Sequence, residues 1–186
     1  ETTRLLTAIV RETRRMALRV DNVLESGRLQ MGQLAFENEP FDLSVIARAV
    51  ADDLEGVLDH RGGVLEFDVC ESVWVRGDPR AIRLLLDNIV DNALRYTHNE
   101  PRLELRLTSD GNVARISLRD NGDGFVSEEA EKLFRPWHRG DAYRAGIGLG
   151  LPLSRAIAHG HGGGLELHSE GQGLGATADV WLPVCE

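Results

Sequence analysis

The sequence predicts an α+β protein: a two-layer α/β sandwich with helices on one face of a mostly antiparallel mixed sheet, preceded by a long N-terminal helix. Three observations predict it. Helical and strand-like periods follow one another without repeating βαβ units. Two alternating runs are joined by Ser109-Asp110-Gly111-Asn112, a hairpin signal. Residues 1 to about 30 carry an apolar 3-4 repeat with no proline. A chain of 186 residues with 42% hydrophobic content suffices for one core plus an appendage.

The elements follow in chain order. Leu6, Ile9, Thr13, Met16, Val20 and Val23 repeat at spacings 3, 4, 3, 4, 3, the seam of a helix that packs on another helix. Gly32 to Pro40 reads as a linker. A second helix is expected over about 42–58, capped by Asp42, with Leu43, Ile46, Val50 and Leu54 on one face. Short strands are expected at Val64 to Cys70 and Val73 to Arg76. Asp78 and Pro79 open a third helix that runs to about Thr97, since proline suits the first helical position. Strands at Leu103 to Leu107 and Val113 to Leu118, a short helix near Ser127 to Leu133, a helix at Leu151 to His159, and strands at Leu165 to His168 and Thr177 to Leu182 complete the pattern. The domain boundary is placed between residues 38 and 39.

Composition removes several function classes. A formal net charge of −9 opposes a nucleic-acid surface, which needs a positive field. No stretch approaches the roughly 20 apolar residues that span a bilayer, and Arg4, Arg11, Arg14 and Arg15 interrupt any secretory pattern. Cys70 and Cys185 have no metal spacing and read as reduced thiols. Most of the 20 glycines fall at or after Gly111, which concentrates backbone freedom in the second half.

Three constellations carry chemistry. On the third helix, Asn88, Asn92 and Arg95 share one side while Ile89, Val90, Ala93 and Leu94 can face the sheet. Carboxamide oxygens can ligate a hard cation and a guanidinium can meet phosphate; taken alone, the same pattern equally describes a solvated polar face. Asp120-Asn121-Gly122-Asp123-Gly124 follows a strand, so its glycines permit close approach to a flat ligand, and Asp120 can accept from an exocyclic amine; alone it is also an ordinary turn. Gly146-Ile147-Gly148-Leu149-Gly150 opens a helix, where free N–H groups and the helix dipole favour an anion. Neither a dinucleotide βαβ unit nor a Gly-Lys-Ser/Thr phosphate loop accompanies it.

The fixed order of these elements resembles the histidine-kinase branch of the ATPase superfamily that includes gyrase, mismatch-repair ATPases and the heat-shock chaperone ATPase. Asn88 to Thr97 resembles its N box, Asp120 to Gly124 and Gly146 to Leu151 its two glycine boxes, and Leu133-Phe134-Arg135-Pro136-Trp137-His138-Arg139 its F box. His161-Gly162-Gly163 and Trp181-Leu182-Pro183 match its usual endings. The resemblance implies a Bergerat-type ATP site with a lid at about 125–149. It implies that Asn92 holds Mg²⁺ with Asn88 nearby, that Arg95 faces phosphate and Tyr96 the nucleoside, and that Asp120 accepts the adenine amino group. Gly122 and Gly124 would then shape the base pocket; Gly146, Gly148, Leu149 and Gly150 would belong to the lid over the phosphates, and Arg139 would reach the γ-phosphate.

One position separates the branches. Hydrolysing members carry a glutamate base four residues before the metal-binding asparagine, where this chain has Asn88. A carboxamide takes no proton at neutral pH, so a kinase is expected rather than an ATPase. Asp91, adjacent to Asn92, is expected to point about 100° away from it. None of His60, His98, His138, His159, His161 and His168 sits in the family's phosphoacceptor string. Residues 1–38 resemble the second helix of a dimerisation hairpin plus linker, which implies an acceptor helix, a sensor and membrane segments upstream. The further expectations are a cytoplasmic location within a membrane-anchored protein, a homodimer through the N-terminal helix, a response regulator receiver as partner, and no nucleic acid.

Overall fold

The computed structural model describes residues 2–98, 100–138 and 148–185. Helix α1 (Thr2–Gln30) is followed by strand β1 (Glu39–Asp42), helix α2 (Leu43–Asp59) and strands β2 (Val64–Val69) and β3 (Trp74–Gly77). Helix α3 (Pro79–Tyr96), strands β4 (Arg102–Ser109) and β5 (Val113–Asp120), a 3₁₀ turn at Ser127–Glu129 and helix α4 (Ala130–Leu133) come next. Helix α5 (Gly150–Gly160) and strands β6 (Gly164–His168) and β7 (Thr177–Pro183) close the chain.

The five-stranded sheet has the order β2-β4-β5-β7-β6. Only the β2–β4 pair is parallel; the others are antiparallel. Leu103, Leu105 and Leu107 alternate with Glu104 and Arg106, and Ala114, Ile116 and Leu118 alternate with Arg115, Ser117 and Arg119. The apolar set is buried, so one face of the sheet meets α2, α3 and α5 while the other meets water. Both expected caps form. The Asp42 carboxylate accepts from the Ser44 amide, and Asp78 Oδ1 accepts from Arg80 and Ala81.

One expectation is corrected. Glu39 and Pro40, read as the end of the linker, instead form with Phe41 and Asp42 a strand that pairs antiparallel with β3, so β3 lies in a separate two-stranded ribbon. Four residues are too few to display a period of two, and Pro40 reads as a strand breaker although ribbon edges tolerate it.

The linker ahead of β1 is docked rather than loose. The Phe36 ring packs 4.6 Å, centroid to centroid, from His161. His161 Nε2 accepts from the Asp78 amide at 2.9 Å, so Nδ1 carries the proton it donates to Ile157 O at 2.7 Å. That neutral imidazole ties the end of α5 to the start of α3, which gives the His-Gly-Gly ending a structural task. By contrast, Met16, Val20 and Val23, three of the six seam positions on α1, are exposed.

Candidate functional site

A cleft of about 560 Å³ opens between α3, the N-terminus of α5, the ends of β5 and β7, and one face of α1. It gathers Asn88, Asn92, Arg95, Tyr96, Asp120, Gly124, Gly148, Leu149 and Gly150. Gly122 does not line the cleft but donates its amide to the Asp120 carboxylate. Arg139 and Gly146 fall outside the described residues.

At the β5 end the geometry is set by backbone. Register places Arg119 opposite Thr177, and Asp120 donates its amide to Ala176 O at 2.8 Å. Asp120 Oδ1 accepts from the amides of Gly122 at 2.8 Å and Ala176 at 3.2 Å. Its Oδ2 takes no hydrogen bond among the described residues. Burial pushes the Asp120 carboxyl above the usual carboxylate range; the two amide donors oppose that shift and the charge of Asp123 adds to it. Gly175 N–H donates to Gly122 O, Asp123 N–H to Tyr96 O, and Ser169 Oγ joins Phe125 N–H to Gly175 O. Gly124 has φ +59°, and a Cβ there would collide with Gly171 O and Ser169 Oγ. Leu118, Leu167 and Ala178 form an apolar floor.

The other end is built from side chains. Asn88 is buried on α3, and Gly150 approaches so closely that a Cβ on it would stand 3.2 Å from Asn88 Oδ1. The open N-terminus of α5 faces the same space. Arg95 pairs with Asp91 one turn earlier. Asp91 therefore lines the cleft rather than turning away, because residues 88, 91, 92 and 95 make one broad face. Asn88 is bound reciprocally to Asn22: Asn22 Nδ2 donates to Asn88 Oδ1 at 2.6 Å and Asn88 Nδ2 donates to Asn22 Oδ1 at 2.8 Å. His98 meets Asp123 at 2.8 Å on the rim.

The sequence reading missed two contributors. The loop Ser169 to Ala176 supplies half of the support around Asp120, and its alternating Gly171, Gly173 and Gly175 were the signal available. From α1, Leu18, Arg19 and Asn22 line the cleft, and nothing in a helical repeat marks Asn22 as different from any surface polar residue.

Known proteins resemble this arrangement. The chain is 31% identical to the sensor protein SphS of Synechococcus elongatus over 72% of its own length and 32% of that protein. It is 30% identical to the sensor protein kinase PmrB of Pseudomonas aeruginosa over 77% of its length and 30% of that protein. It thus spans about a third of the curated relatives it matches. The solved mycobacterial sensor histidine kinase MprB superposes with a TM-score of 0.69 at 26% identity, covering 79% of this chain and 97% of that one. The sequence profile described as "Histidine kinase-, DNA gyrase B-, and HSP90-like ATPase" matches residues 77–186, more than half of the chain, and the chain belongs to that family.

Proposed function

We propose that this chain is the ATP-binding catalytic part of a sensor histidine kinase, which transfers the γ-phosphoryl group of Mg-ATP to a histidine on a dimerisation helix of the full-length protein, for relay to a response regulator receiver domain. The observation that carries the reading is Asp120: one carboxylate oxygen is held by two backbone amides, which leaves the other to accept the exocyclic amine of adenine. Guanine presents an oxygen at that position, so the same carboxylate disfavours GTP.

Asn92 and Asn88 offer neutral amide oxygens, donors suited to a hard cation. No group of three His, Cys, Asp or Glu side chains among the described residues forms a metal cage. A cation here would take its remaining ligands from phosphate and water, which suits Mg²⁺. When bound, the ion would neutralise charge on the phosphate oxygens. The amides at the start of α5 and the Arg95 guanidinium serve the same charge, with Gly148 and Leu149 as the near edge of the lid. In the transfer itself the bond between the γ-phosphorus and the β–γ bridging oxygen breaks, ADP leaves, and a bond forms to a nitrogen of a neutral imidazole. No protein base has to activate that nucleophile. Asn88 cannot activate water, which favours transfer over hydrolysis.

Among the described residues no helix is long and apolar enough to cross a membrane, which fits a cytoplasmic location for this part. Homodimerisation would use the exposed stripe Met16, Val20 and Val23. The test is titration calorimetry with Mg-ATP and Mg-GTP, then transfer of labelled γ-phosphate to a supplied acceptor helix. Binding of ATP but not GTP, with acid-labile label on the helix, is expected; equal binding of both nucleotides rejects the reading.

A further inference from the structure

The contact between α1 and the cleft is unlike the others that α1 offers. Its apolar stripe Met16, Val20 and Val23 faces outward, and the side that meets the domain is built around the Asn22–Asn88 amide pair. Both residues are buried, at 9% and 5% exposure, and Ser26 is buried one turn further on. Leu18 and Arg19, one turn earlier, line the same cleft. The Asn22–Asn88 part of this joint differs from an apolar seam, because a competing oxygen, cation or water can replace each of its two amide hydrogen bonds.

We infer that Asn22 is a latch: by pairing with Asn88 it docks α1 over the phosphate end of the cleft, so that α1 docking and binding of a magnesium–triphosphate group compete for the same carboxamide. This rests on the nucleotide site proposed above. Asn88 Oδ1, which accepts from Asn22, is the atom that would otherwise turn to the cation or its water shell. The purine end shares no atom with the latch, since Asp120 is held by the Gly122 and Ala176 amides and the Ser169 to Ala176 loop by its own backbone and the Ser169 hydroxyl. The latch therefore discriminates between parts of one ligand. It opposes the triphosphate and its metal, and leaves adenosine unaffected. Coupling of this kind is reciprocal, so the nucleotide must loosen α1 by the factor with which α1 weakens the nucleotide. Release would free α1, with its apolar stripe already outward, to pack on a partner helix.

Two measurements on the chain test this. In Asn22→Ala, alanine favours the helix and cleft water can reach the vacated Asn88 amide, so the fold is retained. Calorimetry is expected to show Mg-AMPPNP bound about 3- to 30-fold more tightly than by the parent chain, the range that one or two hydrogen bonds allow, with adenosine affinity unchanged. Asn22→Ser, too short to span the pair, is expected to behave alike. In the parent chain, hydrogen exchange over residues 16–26 is expected to quicken on adding Mg-AMPPNP and not on adding adenosine. Unchanged or weaker Mg-AMPPNP affinity in both variants, or protection of residues 16–26 that persists or grows with nucleotide, overturns the latch while leaving the site intact. If the folded parent chain binds no adenine nucleotide at all, the site reading fails and the latch fails with it.

Discussion

The two ends of the cleft are held by different means. At the purine end, backbone amides and carbonyls of two loops and two adjacent strands fix Asp120, and the supporting side-chain bonds come from Ser169 and, further out, from Asn121 and the His98–Asp123 pair. At the phosphate end the polar groups are paired through side chains: Asn88 with Asn22, and Arg95 with Asp91. The two ends hold Asp120 and Asn88, respectively, by internal hydrogen bonds. They differ in what a ligand must do on arrival. On the proposed reading, base recognition would be preorganised and require no protein bond to be exchanged, whereas phosphate recognition would replace internal partners with ligand oxygens. Such a site would hold adenosine with fixed selectivity and still regulate whether the triphosphate is accepted.

The comparison breaks most severely if the purine end is deformed. Gly175 has φ +77°, and a Cβ on it would overlap the Asp120 carbonyl oxygen. Gly175→Ala is expected to lower unfolding free energy by about 2–4 kcal/mol, because positive-φ strain and overpacking act together; chemical denaturation measures it. A cost under about 0.5 kcal/mol, the range of neutral surface changes, would mean that the loop adapts and the purine end is not rigid.

Next in size is Asp120→Asn. Both amide donors address Oδ1, which asparagine retains, so the fold keeps its bonds. Nδ2 then presents a donor to the adenine amine where Oδ2 had accepted. Affinity for ATP is expected to fall about 10- to 100-fold, the worth of a hydrogen bond to a charged group plus an unpaired donor, with no loss of thermal stability. Equal calorimetric affinity in mutant and parent would remove Asp120 from base recognition. Asn92→Ala sharpens the contrast from the other side. It is expected to weaken Mg-ATP by about 10-fold, as loss of one charge-assisted contact would, and to leave magnesium-free adenosine binding unchanged. A parallel loss for adenosine would show that the ends are not separable.

The same division explains what could be read from the sequence. Fold class, the caps Asp42 and Asp78, and the apolar alternation of β4 and β5 follow from local periodicity and capping chemistry, which act over a few residues. So did the gathering of Asn88, Asn92, Arg95 and Tyr96 on one helix and of Asp120 at a strand end, because their spacing fixes their direction. Strand β1 escaped notice because four residues show no period. The Ser169 to Ala176 support loop lies 49 residues or more from Asp120, and Asn22 lies 66 residues from Asn88, so neither contact leaves a local trace. The purine end was thus half legible as a motif; at the other end Asn22, the partner of Asn88, is tertiary and left no signature, whereas the i,i+4 spacing of Asp91 and Arg95 was a local signal that the expected direction of Asp91 passed over.

The smallest effect is also the most diagnostic, because it runs in opposite directions for the empty and the occupied site. Burial raises the Asp120 carboxyl above its unfolded value, so the folded state binds its proton more tightly than the unfolded state does. By linkage, stability falls with pH wherever the folded state holds more protons. The stability that protonated Asp120 contributes is therefore complete below the ordinary carboxylate range and is lost as pH rises through the raised value. Parent and Asp120→Asn should unfold alike in acid, and the mutant should become the relatively more stable chain across that window. Adenine recognition needs the ionised acceptor, so ATP affinity of the parent should rise over the same interval in which its unliganded stability declines. Melting curves with and without ATP at stepped pH read both. Two slopes of the same sign would mean that the titrating group is not the one that holds the base; opposite slopes that vanish together in Asp120→Asn assign them to a single carboxyl group, strained by burial and useful to the ligand for that reason.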